Sequence, residues 1–363
     1  MYSRQTIALL FAGLIVVAIA AGSFYYVAGI GGTQPDGTNA LTATAGTTSL
    51  ETTVHTPPQK TINNTPVTVR VAHSTLTGAA ALWVANDLGY FKQANITLEI
   101  TPTQSSSYVT QALLAGKEDV GFAVSGLDLF TLDAKQPGVF KVFMVGADYS
   151  PKTNFSGILV RADSPFKSVQ DLKGARFGIS SGLITGASTN WVISKYFSPN
   201  SITFVTIPVS SLSTALASNQ VDAIWVTQPD LNIAVKSGMA RVLPNSSLTI
   251  IMDPMPVAGL AFTSQFTNEH PQTASRVVQI MDAAVAYMNA NPQSALEIVA
   301  NHAGVPVSEL ENNNRTPWEY FVQVNATVGN ASVESLLQTL ADKYHAAGYT
   351  ANAVNVSNLI YRP

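Results

Sequence analysis

The sequence contains one arrangement twice, and this internal repeat most constrains the fold. Residues 112–126 read ALLAGKEDVGFAVSG and residues 215–229 read ALASNQVDAIWVTQP, so that Asp119 aligns with Asp222. Each stretch predicts the end of a helix, a polar break, an Asp, a short apolar strand and a polar turn. Earlier in each half, a strand runs into a turn of small residues. Two copies of one α/β layout predict two similar lobes, and two lobes predict a cleft that holds a ligand.

The composition supports two buried cores and excludes several classes of protein. The chain has 363 residues, of which 46% are hydrophobic, and this is enough for two lobes. Charged residues make up only 11%, the net charge is −3, and no run of Lys or Arg occurs, so nucleic-acid binding is not expected. Cysteine is absent, which excludes disulfides, thiolate metal sites and cysteine nucleophiles.

The amino-terminal segment, residues 1–30, is interpreted as a membrane anchor or a signal segment. The stretch 7–30 is almost wholly apolar, and about 20 such residues span a bilayer. Arg4 is the only charge before it, which places the amino terminus inside the cell. A retained anchor is favoured by the length of the stretch, and cleavage after Ala20 is the alternative. In both cases we expect the following residues to lie outside the cytoplasm.

Residues 31–66 are rich in Thr, Ser, Gly and Pro and predict a disordered stalk. Asn-x-Ser/Thr sequons also recur along the chain and predict N-glycosylated loops, although Asn-rich composition alone is the alternative explanation. Few carboxylates need to protonate in acid, so an acid-exposed cell surface, as in some archaea, fits the composition. The sequons start at Asn63, Asn95, Asn154, Asn245, Asn314, Asn325, Asn330 and Asn355.

The folded part is predicted to begin at Val67 and to alternate strands with helices of about ten residues, which is typical of parallel βαβ units. Residues 168–171 resemble a capping box for a short helix. After Pro271 the chain becomes strongly helical, with helices predicted at about 272–290, 293–303, 333–347 and 353–360.

Four turns that follow predicted strands are candidate ligand-binding elements. Open α/β sheets bind ligands at these turns, and helix starts present free N–H groups and a positive dipole end. Small residues let an anion approach the backbone, and hydroxyl groups add neutral donors. The alternative is that these residues only cap helices and form turns. The candidates are His73, Ser74, Thr75, Gln104, Ser105, Ser125, Gly126, Ser180, Ser181, Gly182, Thr185, Gly186 and Ala187.

Two further candidates, Trp225 and Gln228, lie at the end of the second repeat. Trp225 could stack on a flat or apolar ligand at the edge of the cleft, and packing in the core is the alternative. Two features typical of enzymes are absent from the sequence: it has no Walker A motif and no His, Asp or Glu set with metal-ligand spacing. The neighbouring Glu118 and Asp119 are interpreted as solvated turn residues.

Taken together, these segments resemble the nitrate/sulfonate/taurine-type solute-binding proteins of ABC importers, which are related to the thiamine-pyrimidine-precursor binders. The resemblance covers roughly residues 67–290 and is carried by WVANDLGYFKQANITLEI, ALLAGKEDVGFAVSG, SPFKSVQDLKGARFGISSG and ALASNQVDAIWVTQP. No single motif is decisive, but their order and spacing are specific to this family.

The resemblance implies an α/β, two-lobe clamshell of the type II periplasmic-binding-protein kind. Lobe 1 would comprise residues 67–158 and 257–363, and lobe 2 would comprise residues 159–256. The ligand would sit between the lobes, against the turns named above and Trp225 to Gln228. The implied protein is a monomer without cofactor or catalytic residues, and its partners are a small solute, an ABC permease and the ATPase subunit of that permease.

The chain departs from this family at two positions that bear on the ligand. Gln228 stands where many members carry an acidic residue before Pro, which argues against an amine-bearing ligand, and His73 replaces an aromatic or small residue. Hydroxyl-rich helix starts favour a small oxyanion such as a sulfonate, taurine or nitrate. A thiamine pyrimidine precursor, or a similar small heterocycle, is the alternative ligand, and a ligand-sensing ectodomain is the alternative function.

Overall fold

The structure is a computed structural model, and the part of the chain that it describes comprises residues 66–74, 77–103, 106–149, 156–179, 183–198, 201–311 and 321–363. These residues all belong to one compact unit. The predicted anchor and all but the last residue of the predicted stalk lie outside the described residues. Among the described residues, no helix is both long enough and apolar enough to cross a membrane.

The described strands form two main sheets and one short hairpin. The strands are β1 (Val67–Ser74), β2 (Ile96–Thr103), β3 (Val120–Ser125), β4 (Phe140–Tyr149), β5 (Ser156–Arg161), β6 (Arg176–Ile179), β7 (Thr203–Thr206), β8 (Ala223–Thr227), β9 (Ala240–Val242), β10 (Met255–Thr263), β11 (Val322–Gln323), β12 (Thr327–Val328) and β13 (Ala331–Ser332).

Helices alternate with these strands and then dominate the last third of the chain. The α-helices are α1 (Ala80–Asp87), α2 (Tyr90–Gln93), α3 (Ser106–Leu114), α4 (Gly126–Asp133), α5 (Leu183–Ser194), α6 (Leu212–Ala217), α7 (Asp230–Lys236), α8 (Ser264–Glu269), α9 (Pro271–Ala290), α10 (Pro292–Ala303), α11 (Val307–Leu310) and α12 (Val333–Ala346).

Most predicted elements are present, and one of the predicted carboxy-terminal helices is wrong. The capping box predicted at residues 168–171 is confirmed, although it caps a short 3-10 helix. The helices predicted near 272–290, 293–303 and 333–347 correspond to α9, α10 and α12. In place of a helix over 353–360 there is only a 3-10 turn, Val356–Asn358, after which the backbone of Tyr361 bonds to Val142 of β4. Pairing with the sheet edge competes with the helical hydrogen bonds there.

The first sheet has the strand order β11-β4-β10-β3-β1-β2. Strand β1 pairs in parallel with both β2 and β3, and β10 lies antiparallel between β3 and β4. The strands β1, β2, β3 and β4 therefore all point the same way, and their carboxyl ends share one edge. Helix α3 begins just after β2 and helix α4 begins directly after β3, so both helix starts lie at this edge.

The second sheet has the strand order β7-β6-β8-β5-β9 and repeats part of this layout. Strand β6 is parallel to β7 and β8, and helices α5, α6 and α7 follow the carboxyl ends of these three strands. The chain passes from Tyr149 of the first sheet to Ser156 of the second, and Met255 returns it next to Tyr149. Because Ser156 pairs with Thr227, both crossings lie at the carboxyl edges of their sheets.

The internal repeat is confirmed by an ion pair that occurs once in each sheet. In the first, Arg70 of β1 donates from Nε and Nη2 to Asp119, at 3.2 and 2.5 Å. In the second, Arg176 of β6 donates in the same way to Asp222, at 3.1 and 2.7 Å. Each carboxylate also accepts the backbone N–H of its arginine. The aligned Asp residues therefore fix the register between equivalent strands of the two sheets.

The interpretation of Glu118 and Asp119 as solvated turn residues is wrong. Glu118 is buried, and burial raises the pKa of its carboxyl group. Asp119 is held by Arg70 as described above, and its repeat partner Asp222 has a lowered pKa, mainly because it accepts hydrogen bonds from the Arg176 guanidinium. The repeated Asp is thus a structural group, and it has no part in the candidate site.

Candidate functional site

Three of the predicted residues lie together where β1 and β3 end. Ser74 is the last residue of β1, Ser125 is the last residue of β3, and Gly126 opens α4. The Ser125 hydroxyl accepts the backbone N–H of Asp128 at 3.1 Å, so it caps the helix as the alternative interpretation expected. The Ser74 hydroxyl is fully buried and makes no hydrogen bond. A buried polar atom without a partner is rare and is often completed by a ligand.

His73 precedes Ser74 in β1 and is buried at the same edge of the sheet. Its Nδ1 lies 2.8 Å from the backbone carbonyl of Ser74, and since a carbonyl can only accept, Nδ1 carries the hydrogen. Burial lowers the pKa of His73, and a smaller lowering comes from His302. The imidazole ring meets the edge of Trp83, which in turn stacks on His302 at a centroid distance of 5.3 Å. His73 is therefore a packed group at the end of β1, and its lowered pKa favours the neutral imidazole.

Trp225 and Gln228 lie in and just after β8 of the second sheet. Trp225 is 2% exposed and belongs to the main buried cluster, although its indole N–H has no hydrogen-bond partner. The Gln228 amide is buried and exchanges two hydrogen bonds with Asn232 of α7, at 3.1 and 3.3 Å. Trp225 is therefore packed in the core, and Gln228 is held by Asn232. The Trp225 indole N–H makes no hydrogen bond, so it could still donate to a ligand.

The remaining predicted site residues are only partly covered by the structure. Thr75, Gln104, Ser105, Ser180, Ser181 and Gly182 lie outside the described residues. The backbone of Thr185, Gly186 and Ala187 lies in the first turns of α5. Helix α5, on the second sheet, packs against α4, on the first. The two helices that begin at the predicted binding turns of the two sheets are therefore neighbours.

Asp128 is a residue of this region that the sequence analysis missed. It is the third residue of α4 and only 4% exposed, and neither of its carboxyl oxygens makes a hydrogen bond. Burial raises the pKa of its carboxyl group. The hydroxyls of Ser107 and Ser125 oppose this shift more weakly, but they lie outside hydrogen-bonding geometry. The available signal was its position in the first turn of a helix that follows a predicted binding turn.

The raised pKa of Asp128 predicts a specific dependence of stability on pH. Because the folded protein holds this proton more tightly than the unfolded chain, the cost of ionising Asp128 is absent below its ordinary pKa of 3.8. Its ionisation then lowers stability as the pH rises through the folded-state value. We expect Asp128→Asn to stabilise the protein at pH 7 by on the order of 1 kcal/mol. Urea unfolding at pH 7 and near pH 3 measures this, and an equal gain at both values would contradict it.

In the part of the chain that the structure describes, no group of three or more His, Cys, Asp or Glu residues is placed to hold a metal ion. Among the described residues, the buried polar side-chain atoms without a hydrogen-bond partner belong to Ser74, Asp128, Ser156, Thr189 and Trp225. The hydroxyl and indole groups among them are neutral donors that can bind a small polar solute directly.

A groove of about 900 Å³ lies away from these helix starts. Its basic side chains are Lys141, Arg276 and Arg362, and Lys141 is at the opposite end of β4 from the chain crossing. Lys141 donates to the backbone carbonyl of Asn358 at 2.5 Å, and Arg362 pairs with Glu334 at 3.0 Å. The groove is open, Lys141 is bonded to a backbone carbonyl and Arg362 is paired with Glu334, so the sheet edges remain the better candidate site.

Comparison with known proteins agrees with this geometry. A Brucella abortus protein that is named as a binding protein is 22% identical to this chain over 278 residues. The match covers 75% of this chain and 82% of the relative. A Bacillus subtilis protein named for binding aliphatic sulfonates is 22% identical over 248 residues, covering 64% of this chain and 69% of the relative. Neither relative is named as an enzyme.

A solved structure and a family profile complete the comparison. The periplasmic aliphatic sulphonate-binding protein SsuA of Escherichia coli superposes with a TM-score of 0.66 at 17% identity, covering 82% of this chain and 93% of SsuA. This likeness confirms the predicted α/β, two-sheet fold of periplasmic binding proteins. The profile described as NMT1/THI5 like matches residues 77–295, more than half of the chain. The chain therefore belongs to the NMT1/THI5-like family.

Proposed function

We propose that this chain is the extracellular substrate-binding subunit of an ABC importer, which binds a small oxyanion between two lobes and delivers it to the permease. The candidate ligands are a sulfonate, taurine or nitrate. The observation that carries the proposal is the meeting of α4 and α5, which begin at the carboxyl edges of two different sheets. The sulfonate-binding names of the relatives support the ligand class.

The proposed mechanism is closure of the two lobes on the solute. Lobe 1 would comprise residues 67–158 and 257–363, and lobe 2 residues 159–256. The chain crosses between the sheets twice, next to Tyr149 and Met255, and both crossings adjoin the carboxyl edges. Two adjacent crossings can act as a hinge, and a ligand that touches both lobes stabilises the closed form.

In this proposal the oxyanion is bound by uncharged groups. Free backbone N–H groups at the helix starts and nearby hydroxyls donate to its oxygens. The unpartnered Ser74 hydroxyl and Trp225 indole N–H are the described groups still able to donate from the first and second sheets. Ser181 and its neighbours are proposed to complete the site from lobe 2. No step of catalysis is proposed, and ATP hydrolysis would belong to another subunit.

The proposed setting of the protein is the outer face of the cytoplasmic membrane. Residues 1–30 would anchor the chain, residues 31–66 would form a stalk, and used sequons would carry sugar on exposed loops. The relatives with a stated location are periplasmic, which agrees with a folded part outside the cytoplasm. We propose that the protein acts as a monomer beside its permease, and that its low content of charge suits an acid-exposed surface.

Thermal unfolding of the purified full-length protein with a panel of solutes tests the proposed function. The panel contains taurine, an alkanesulfonate, nitrate and a thiamine pyrimidine precursor. A solute that binds only the folded protein stabilises it by about 2.7 kcal/mol at 100 times its dissociation constant, and we expect this for one oxyanion. Ser181→Asp should abolish that shift, because the introduced carboxylate repels the anion from the second-lobe helix start.

The control for this experiment is Ser335→Asp. Ser335 is exposed in the first turn of α12, where an added carboxylate is favourable, so the ligand-induced shift should persist. A shift with the pyrimidine precursor and none with any oxyanion would move the ligand to the vitamin-precursor class. If no solute in the panel shifts the thermal unfolding midpoint, the result would contradict the proposed function.

A further inference from the structure

Helix α11 connects elements of the first sheet but touches a helix of the second. It packs against α10, which in turn packs against α1 and α9 on the side of the first sheet. The next described strand, β11, pairs with β4 of the first sheet. Helix α11 also packs against α7, which follows β8 of the second sheet. If the two proposed lobes move apart, the contact between α7 and α11 must break.

The contact is made by Lys236, which lies in the last turn of α7. Its ammonium group donates hydrogen bonds to the backbone carbonyls of Ser308 and Glu311, both at 2.5 Å. These carbonyls lie at the end of α11, where the last turn of a helix leaves its carbonyl groups without partners inside the helix. A lysine that donates to such carbonyls stabilises the helix end. Lys236 therefore caps α11 from the other lobe.

A buried amide network continues this contact towards the candidate site. Asn232 of α7 is buried, and its side-chain amide also donates to the Glu311 carbonyl, at 3.5 Å. The Asn232 side chain accepts a hydrogen bond from the Gln228 amide at 3.1 Å, and its backbone N–H donates to Gln228 at 3.3 Å. Gln228 follows β8 directly. The hydrogen bonds thus run from a candidate binding turn of lobe 2 to an element of lobe 1.

The chemistry of this contact suits an interaction that forms and breaks repeatedly. Lys236 is exposed, so its ammonium group can exchange the carbonyl oxygens for water at little cost. Residues 307–311 contain Glu309 and Glu311 and no cation, so their charge is opposite to that of Lys236. A large apolar interface, in contrast, would hold two domains together more permanently.

We propose that Lys236 and Asn232 form a latch between α7 and α11 that is made only when the cleft is closed. Lys236 is then a positioning residue for solute binding. This inference rests on the proposed function and adds a residue that sets the affinity. A contact made only in the closed form raises the population of that form, and with it the apparent affinity. Because the solute leaves when the cleft opens, the latch should act mainly on the dissociation rate.

Lys236→Met in the full-length protein tests the latch, since it removes the charge and keeps a long side chain. The probes are taurine, ethanesulfonate and nitrate. We expect the probe that binds to dissociate about 3- to 10-fold faster from this variant, with little change in its association rate. Lys236→Arg keeps a cationic donor and should restore slow dissociation. Lys173→Met is the matched control, because Lys173 is an exposed lysine of lobe 2 outside α7. Stopped-flow tryptophan fluorescence gives the rates.

The absence of cysteine from the sequence permits a second measurement, which needs no solute. Cysteines introduced at the exposed Gln220 of lobe 2 and the exposed Gln293 of lobe 1 can carry one spin label each. Electron paramagnetic resonance then gives the distribution of distances between the labels. Without solute, the distance that matches this structure should be less populated with Lys236→Met than with Lys236.

The outcomes separate the latch from the proposed function. Equal dissociation rates with and without Lys236→Met, or equal distance distributions, would overturn the latch and leave the oxyanion-binding function intact. If none of the three probes binds, the proposed function is contradicted, and the distance measurement alone decides whether Lys236 holds the two lobes together.

Discussion

Replacing Trp191 with Ala is expected to lower the free energy of unfolding by about 3–5 kcal/mol, the usual cost of deleting a large buried aromatic side chain. Trp191 lies on α5 and is 8% exposed. Its ring contacts Tyr344 at a centroid distance of 5.0 Å and Tyr349 at 6.0 Å. The midpoint and slope of urea unfolding, measured for both proteins, give this difference.

The same substitution should also weaken solute binding, because the contact joins the two sheets. Helix α5 follows β6 of the second sheet, and α12, which carries Tyr344, packs against β10 of the first. Losing the aromatic contact therefore removes an interaction between helices of the two sheets, which in the proposed mechanism would stabilise the closed form. Trp191→Phe keeps a ring at this place and is the control, with an expected loss of about 1 kcal/mol. A stable Trp191→Ala protein with unchanged affinity would contradict the bridging role.

Replacing Phe262 with Ala is the second change with a large expected effect, also about 3–5 kcal/mol. Phe262 of β10 is fully buried and stacks on Phe143 of β4 at 4.3 Å. It also contacts Phe266 at 5.7 Å and Tyr361 at 5.2 Å, so one side chain ties together a strand, a helix and the end of the chain. Its removal opens a cavity that these rings can fill only in part.

The matched control for Phe262 is Phe204→Ala. Phe204 of β7 is 38% exposed and has one edge contact with Phe177, so its loss should cost less than about 1 kcal/mol. Unfolding curves of the two variants in urea give both values. Similar losses at the two positions would contradict the assignment of Phe262 to the centre of the first-sheet core.

The repeat and the alternation of elements were predictable because they depend on local patterns. Asp119 and Asp222 align in sequence, and the structure gives both the same arginine partner in the same position. The periodicity of apolar residues is a local signal. It agrees with the structure in α9, whose buried residues recur mostly every three or four positions.

What the sequence could not predict depends on long-range contacts. The insertion of β10 between β3 and β4 joins strands more than 100 residues apart, and no local pattern encodes that pairing. The missing helix at 353–360 has the same cause, because Tyr361 pairs with Val142 instead. Asp128 was overlooked since an acidic residue in a first helical turn normally indicates only favourable capping. Its importance follows from burial, which only the packed structure shows.

The most direct test of the central claim is a crystal structure of the protein with the solute that gives the largest thermal shift. We predict electron density for that solute between the carboxyl edges of the two sheets, next to the starts of α4 and α5. Density in the groove lined by Lys141, Arg276 and Arg362, with the space between the helix starts empty, would contradict it.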